Sequence, residues 1–368
     1  MDCESDNDHF EHKTTQCSLL IVLAGLSYGD SIHAQVVDNA GVVPKETSGK
    51  RTPVYASVQT VAFSPSGELR AIYAPCAPNT EWDGGPFPHW HTTWFVTGET
   101  LITFPNVVTG YATFTPDCRI ASTDDGRTVV LWDMVKKEAI SRIELPSQHF
   151  CKTFSPDNKT LATGHDDKTI RLWNISNGLP VRTLVGADHF VYCVAFSPDG
   201  KRIAAGDARG SVGVWDIEKS AKIQRLEGHT EQVSAIKFSP DGTTLATASY
   251  DHTVRLWNLS SGQTVTTIPR WTLDLSFHPD GKSIAIGKSL MTETEIWDVK
   301  TGNRVVELPS RDSGFCRLLA FSPDGNALAS GVGFTIRMWK SVQGKWHYSD
   351  LEYGVPLTKR QLNNHRKG

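Results

Sequence analysis

The amino-acid sequence predicts an all-β protein, a seven-bladed β-propeller with four antiparallel strands in each blade. Two series of residues carry this prediction, because both recur about every 42 residues along the 368-residue chain. A Phe-(Ser/Thr/His)-Pro motif occurs seven times, with its prolines at Pro65, Pro116, Pro156, Pro198, Pro240, Pro279 and Pro323. Tryptophans form the second series, at Trp132, Trp173, Trp215, Trp257, Trp297 and Trp339. Such a period is typical of propellers, in which each repeat is one small sheet.

The fifth repeat shows the four strands most clearly. Its first segment, VSAIKFSP, alternates apolar and other residues, and the Asp-Gly pair at 241–242 predicts a turn. LATAS at 245–249 and TVRLWN at 253–258 are predicted as the second and third strands, and TVTTI after Ser261-Gly262 as the fourth. Sheets this small cannot bury both faces alone, so we expect the seven to pack radially.

The first repeat contains an insertion. Trp82 and Trp94 compete to end its third strand, and the spacing of the turn that follows favours Trp94. This choice makes residues of about 75–92 an insertion between the second and third strands.

The sequence does not decide which segment closes the ring. The segment KWHYSDLEY at 345–353 can supply the fourth strand of blade seven. A segment such as Ala34–Val43 could contribute to that blade instead.

These features resemble the WD-repeat (WD40) propeller family over residues 52–353. Three repeats end in Trp-Asp, two in Trp-Asn, and a Gly-His pair occurs as Gly228-His229. The resemblance implies a buried, hydrogen-bonded tetrad in blade five, formed by His229, Thr247, Asp251 and Trp257. It also implies that this tetrad decays elsewhere, because blade three has no histidine at the matching place, blade four has Arg209 instead of the aspartate, and blade six is strongly altered.

Composition and motifs argue against several functions. A net charge of −3 gives no field that would attract nucleic acid. The sequence has no nucleophile elbow, phosphate-binding loop, HExxH motif or CxxC pair, so we expect no enzyme, cofactor or metal site. Cys151 and Cys193 occupy equivalent places in successive repeats and are expected to be small buried residues.

The predicted domain organisation has three parts. Residues 1–51 form an N-terminal segment, 52–353 the propeller, and 354–368 a basic tail. The apolar run at 18–28 resembles the hydrophobic region of a secretory signal but is too short to span a membrane, and acidic residues precede it. A cytoplasmic protein and one exported through a cleavable signal are therefore both compatible with the sequence, and a monomeric ring is expected.

Candidate partner-binding residues lie where the repeats differ from one another, because ring-building positions repeat and recognition positions do not. The insertion contributes aromatic residues, although it could equally cover its own apolar surface. The candidates are Trp82, Phe87 and Trp90 in the insertion and His149, Asp166, His189, Glu231, Tyr250, Arg270 and Trp271 on the ring's upper face.

Two functions compete on these grounds. The first is a non-catalytic scaffold that binds a protein or peptide, of unknown identity, on the upper face. The second is a small-ligand binder or hydrolytic enzyme that uses the central channel, since the fold alone licenses neither function.

Overall fold

The structure is a computed structural model that describes residues 55–76, 93–97, 100–104, 112–124, 127–287, 293–308, 316–332, 335–342 and 344–351. Over these residues it contains 28 strands in seven four-stranded antiparallel sheets, each built from four consecutive strands. The seven-bladed architecture predicted from the sequence is thereby confirmed. Within the same residues there is no helix, and so none long and apolar enough to cross a membrane.

The strands have the following bounds. Blade one contains β1 (Tyr55–Phe63), β2 (Leu69–Cys76), β3 (Thr93–Thr97) and β4 (Thr100–Phe104). Blade two contains β5 (Thr113–Phe114), β6 (Ile120–Asp124), β7 (Thr128–Asp133) and β8 (Glu138–Glu144). Blade three contains β9 (His149–Phe154), β10 (Thr160–His165), β11 (Ile170–Asn174) and β12 (Pro180–Leu184). Blade four contains β13 (Val191–Phe196), β14 (Arg202–Asp207), β15 (Val212–Asp216) and β16 (Ala221–Leu226).

Blade five contains β17 (Val233–Phe238), β18 (Thr244–Ser249), β19 (Val254–Asn258) and β20 (Thr264–Ile268). Blade six contains β21 (Leu275–Phe277), β22 (Ser283–Gly287), β23 (Thr294–Asp298) and β24 (Arg304–Leu308). Blade seven contains β25 (Cys316–Phe321), β26 (Ala327–Val332), β27 (Thr335–Val342) and β28 (Lys345–Leu351).

The repeated Phe-Ser-Pro motif forms the turn between the first and second strands. In blade three the Ser155 hydroxyl donates to the Asp157 carboxylate at 2.6 Å and accepts from the backbone N–H of Thr160 at 2.9 Å. The hydrogen bond from the Ser155 hydroxyl holds the pKa of the Asp157 carboxyl below its ordinary value. The same contacts recur in blade five between Ser239, Asp241 and Thr244, so the motif repeats because the turn repeats.

The order of the strands gives the ring two distinct faces. The lower face carries the turns between the first and second strands and between the third and fourth. The upper face carries the turns between the second and third strands and the connections to the next blade. The first strands are the inner ones, because each contacts the first strand of the next blade around the whole circle, including β25 with β1.

The core lies between blades rather than inside them. Among the described residues, each of the seven buried apolar clusters joins residues of two neighbouring blades. In the cluster between blades four and five, for example, Trp257 of blade five packs with Val212 and Leu226 of blade four. Each sheet therefore buries its apolar faces against the neighbouring blades, and this burial stabilises the ring.

Blade seven closes the ring with its own four strands. Strand β28 pairs with β27, and Ile336 and Met338 of blade seven pack with Val58 and Phe63 of blade one. The alternative contributor, residues 34–43, lies outside the described residues.

The register of blade one corrects one expectation. Trp94 lies on β3, but it pairs with Tyr73, whereas Thr97 pairs with Arg70. In blade four Trp215 pairs with Ile203, the partner of Phe196, and the equivalent of Ile203 in blade one is Leu69, the partner of Phe63. Trp94 pairs with Tyr73, further along β2, so it does not occupy the position that Trp215 holds in blade four. Strand β2 ends at Cys76 and β3 begins at Thr93, and the insertion residues Trp82, Phe87 and Trp90 lie outside the described residues.

Replacing Ile336 tests whether the seam between blades seven and one is closed. Ile336 is fully buried in that seam, and Ile170 is its fully buried equivalent between blades three and four. We expect Ile336→Ala and Ile170→Ala to lower the free energy of unfolding by similar amounts, about 2–4 kcal/mol each, because each leaves a cavity at a packed interface. Denaturant titration measures both. A much smaller loss for Ile336→Ala would mean that the seam is open.

Candidate functional site

The tetrad of blade five is a complete chain of hydrogen bonds. The Nδ1–H of His229 donates to the Asp251 carboxylate at 2.8 Å, which leaves Nε2 to accept from the Thr247 hydroxyl at 2.7 Å. The indole Nε1–H of Trp257 in turn donates to the Thr247 oxygen at 2.8 Å. His229, Thr247 and Trp257 are buried, and burial lowers the pKa of His229. The arrangement satisfies buried polar atoms and gives them no access to a substrate.

Blade three has no histidine at the matching place, but a histidine from another position completes an equivalent chain. His165, at the end of β10, contacts Thr163 through Nε2 at 2.7 Å, and Trp173 donates to the same threonine at 2.8 Å. The other ring nitrogen lies 3.0 Å from the Ser147 hydroxyl, which reaches Asp167 at 3.3 Å. The histidine therefore comes from the second strand, and a serine bridges it to the turn aspartate.

Blade six replaces the tetrad with a buried ion cluster. The side chain of Glu295 has no exposed surface and accepts the Trp297 indole N–H at 3.0 Å. Arg270 and Arg304 donate to the same carboxylate at 2.7 and 2.8 Å. Although burial alone would raise the pKa of Glu295, these two arginines lower it to about 2. The side chain of Arg270, predicted to bind a partner, is 29% exposed while it pairs with Glu295, and its role in binding stays a prediction.

His149 is a candidate whose position differs from the expectation. It is only 5% exposed, because it occupies the place in β9 that Val191 and Val233 hold in the next two blades. Its Nε2 lies 3.5 Å from the carboxylate of Asp124, which forms a buried ion pair with Lys152. Burial lowers the pKa of Lys152. His149 therefore belongs to the interface between blades two and three rather than to a binding surface.

The remaining described candidates lie on the upper face. Asp166 and His189 belong to blade three and to the connection that follows it, and Glu231 precedes β17. Tyr250 and Trp271 are half-buried and contact each other, with ring centroids 5.9 Å apart. Glu231 and Tyr250 line an open depression of about 580 Å³ between blades four and five. The structure thus brings Glu231, Tyr250 and Trp271 into one region.

Three aromatic residues that the sequence reasoning missed lie on the same face. Phe150 stacks on Tyr192 of the adjacent inner strand at 4.5 Å and on Phe190 at 6.0 Å. Phe190 is 37% exposed. In blade five the equivalent places are taken by Ser234 and Gln232. The difference between these side chains in successive repeats is the sequence signal that could have located the aromatic residues.

Of the two cysteines expected to be buried, Cys193 is buried and Cys151 is half-buried. Both lie on inner strands, where burial raises the pKa of both thiols, that of Cys193 to about 12. Within the described ranges, no three His, Cys, Asp or Glu side chains are grouped so as to hold a metal ion.

Seven four-stranded sheets, with Trp-Asp or Trp-Asn ending the third strand of five of them, define a WD-repeat β-propeller. More specifically, the model of the IFT122 first β-propeller matches residues 148–345, more than half of the chain, and the chain belongs to this family. None of the curated proteins matches the chain. Membership of this family favours a protein-interaction scaffold, since propellers of this type are generally not catalytic.

The network in blade three predicts a pH dependence of stability. Burial and the nearby Arg171 lower the pKa of His165 from 6.5 to about 4. Between these values the unfolded chain binds more protons, so the folded state loses stability as the pH falls from 6.5 to 4. In His165→Gln this loss is absent. The stability advantage of the wild type should therefore shrink by up to about 3 kcal/mol from pH 7 to pH 4 in urea titrations. An advantage independent of pH would contradict the buried neutral histidine.

The ion cluster in blade six predicts a large difference between two glutamates that contact the same arginine. Glu295 is buried, whereas Glu307 pairs with Arg304 at the surface. We expect Glu295→Gln to lower the free energy of unfolding by about 1–3 kcal/mol, because it leaves arginine charge uncompensated beside a buried group. The control Glu307→Gln should cost less than about 0.5 kcal/mol. Thermal unfolding measures both, and equal effects would contradict the assigned role of Glu295.

Proposed function

We propose that the protein is a non-catalytic scaffold that binds a protein or peptide partner on the upper face of its propeller. The observation that carries the proposal is the aromatic surface of blades three to five. There Phe150, Phe190 and Tyr192 form a partly exposed stack, and Tyr250 and Trp271 form a second aromatic contact. Aromatic side chains in such positions supply large contact area at a low cost in conformational entropy.

The pattern of repetition supports the same face. On the lower face, serine, aspartate and a glycine with positive φ recur in the turns of blades four, five and seven, which contain Gly200, Gly242 and Gly325. On the upper face the equivalent residues differ from blade to blade. Residues on the upper face can therefore differ, and bind a partner, without disturbing the turns that build the ring. On sequence grounds alone, the insertion residues Trp82, Phe87 and Trp90 extend the proposed surface.

The roles of two candidates change within this proposal. Buried His149 and half-buried Arg270 help to fix the blades that carry the surface. Asp166, His189, Glu231, Tyr250 and Trp271 stay as proposed contact residues. The propeller itself is proposed to comprise residues 52–353.

Site-specific photo-crosslinking tests the proposed face. A p-benzoylphenylalanine in place of Tyr250 should give discrete adducts in an extract of the source cells, because the residue lies within the proposed contact area. The same amino acid in place of Lys201, exposed in a lower-face turn, is the matched control and should give none. Adducts only from position 201, or from neither position, would contradict an upper-face scaffold.

A further inference from the structure

The depression between blades four and five owes its space to one small residue. Ala208 donates its N–H to the carbonyl oxygen of Phe190 at 3.0 Å. Asp166 and Tyr250 make the equivalent bonds to Gln148 and Gln232 in blades three and five. The three residues therefore occupy one place in successive blades, and in blade four a methyl group stands where its neighbours carry a carboxylate and a phenol. We call the resulting depression, lined by Ala208, Arg209, Thr230, Glu231, Gln232 and Tyr250, the blade four–five cleft.

Two opposite charges border this cleft without neutralising each other. Arg209 and Glu231 are exposed, and neither side chain has a hydrogen-bond or ion-pair partner among the residues that the structure describes. Arg209 occupies the position of the turn aspartate, but the turn does not need its side chain. The carboxylate of Asp207 accepts the backbone N–H groups of Arg209 and Ser211 at 2.8 and 2.9 Å instead. Both charges are thus available to a partner.

The backbone of the cleft is bonded to that of the aromatic stack. The carbonyl group of Phe190 is bonded to Ala208 of the cleft, and the Phe190 ring contacts that of Phe150. On the opposite side lies Tyr250, which contacts Trp271. An apolar side chain that enters the cleft would therefore lie against Ala208 and the ring of Tyr250, with a cation and an anion beside it.

We infer that the blade four–five cleft binds an extended segment of a partner protein in which an apolar residue lies between an acidic and a basic residue. The apolar residue enters the space above Ala208, the acidic residue pairs with Arg209, and the basic residue pairs with Glu231. Exposed ion pairs contribute little affinity, so the two charges fix the direction of the segment, and the apolar contact with Ala208 and Tyr250 supplies most of the binding. This assignment rests on the proposed function and names the partner chemistry of the same face.

Two peptides of identical composition and opposite charge order test the assignment. The probes are fluorescein-labelled GSELRSG and GSRLESG, titrated with the full-length protein and followed by fluorescence anisotropy. We expect the wild type to bind one order at least about fivefold more tightly than the other, because only one order places both charges against their complements. The double variant Arg209→Glu with Glu231→Arg should prefer the opposite order. Its melting temperature should be unchanged, because both side chains are exposed.

Two further variants make the test specific. Lys201→Glu with Glu218→Arg exchanges two exposed lower-face charges and should keep the wild-type preference. Ala208→Tyr places in blade four the residue that blade five carries, so the blade should fold while both peptides lose at least about tenfold in affinity.

Equal binding of the two orders by the wild type, an unchanged preference in the double variant, or no binding of either peptide at about 1 mM would each overturn the assignment. Adducts from position 250 together with any of these results would show that the cleft assignment fails while the upper-face function stands.

Discussion

The constraint on which the structure depends is that a four-stranded sheet cannot bury its own two faces. Each buried cluster of the described chain is shared between neighbouring blades, and a third-strand tryptophan such as Trp215 or Trp257 packs on the blade before it. The seam between blades seven and one is the exception, because its cluster of described residues contains no tryptophan. Aliphatic residues and Phe63 fill that seam instead. Ring closure therefore needs apolar complementarity at every interface but not the same residue at each.

Once the interfaces support the ring, the polar network becomes replaceable. Among the described residues, the buried indole N–H of Trp339 in blade seven has no acceptor. In blades two to six the chain supplies an acceptor for the indole N–H of the third-strand tryptophan in several ways. Thr247 with His229 does so in blade five, Glu295 does so in blade six, and in blade four Trp215 donates to the carbonyl oxygen of Val185 at 2.8 Å. Because blade four needs no tetrad, its turn position can carry Arg209 instead of an aspartate, and the arginine side chain is available to bind a partner.

The sequence predicted the features that depend on local spacing, and it failed where a side chain depends on a neighbouring blade. Period and turn chemistry were sufficient for seven sheets and for the blade-five residues. They were insufficient for His149, because it is buried at a valine position beside the ion pair of Lys152 with Asp124, and Asp124 belongs to the preceding blade. They missed the stack of Phe150 on Tyr192, because each lies where the register of its inner strand shifts, and no alternation pattern locates such a shift.

The central claim is that the blades are stabilised by one another and so form a single cooperative unit. Differential scanning calorimetry of the full chain tests it most directly, through the ratio of calorimetric to van't Hoff enthalpy of unfolding. Because every interface is shared around a closed ring, we predict one transition with a ratio close to one. Two or more resolved transitions, or a ratio well above one, would show that groups of blades unfold independently and would contradict the account.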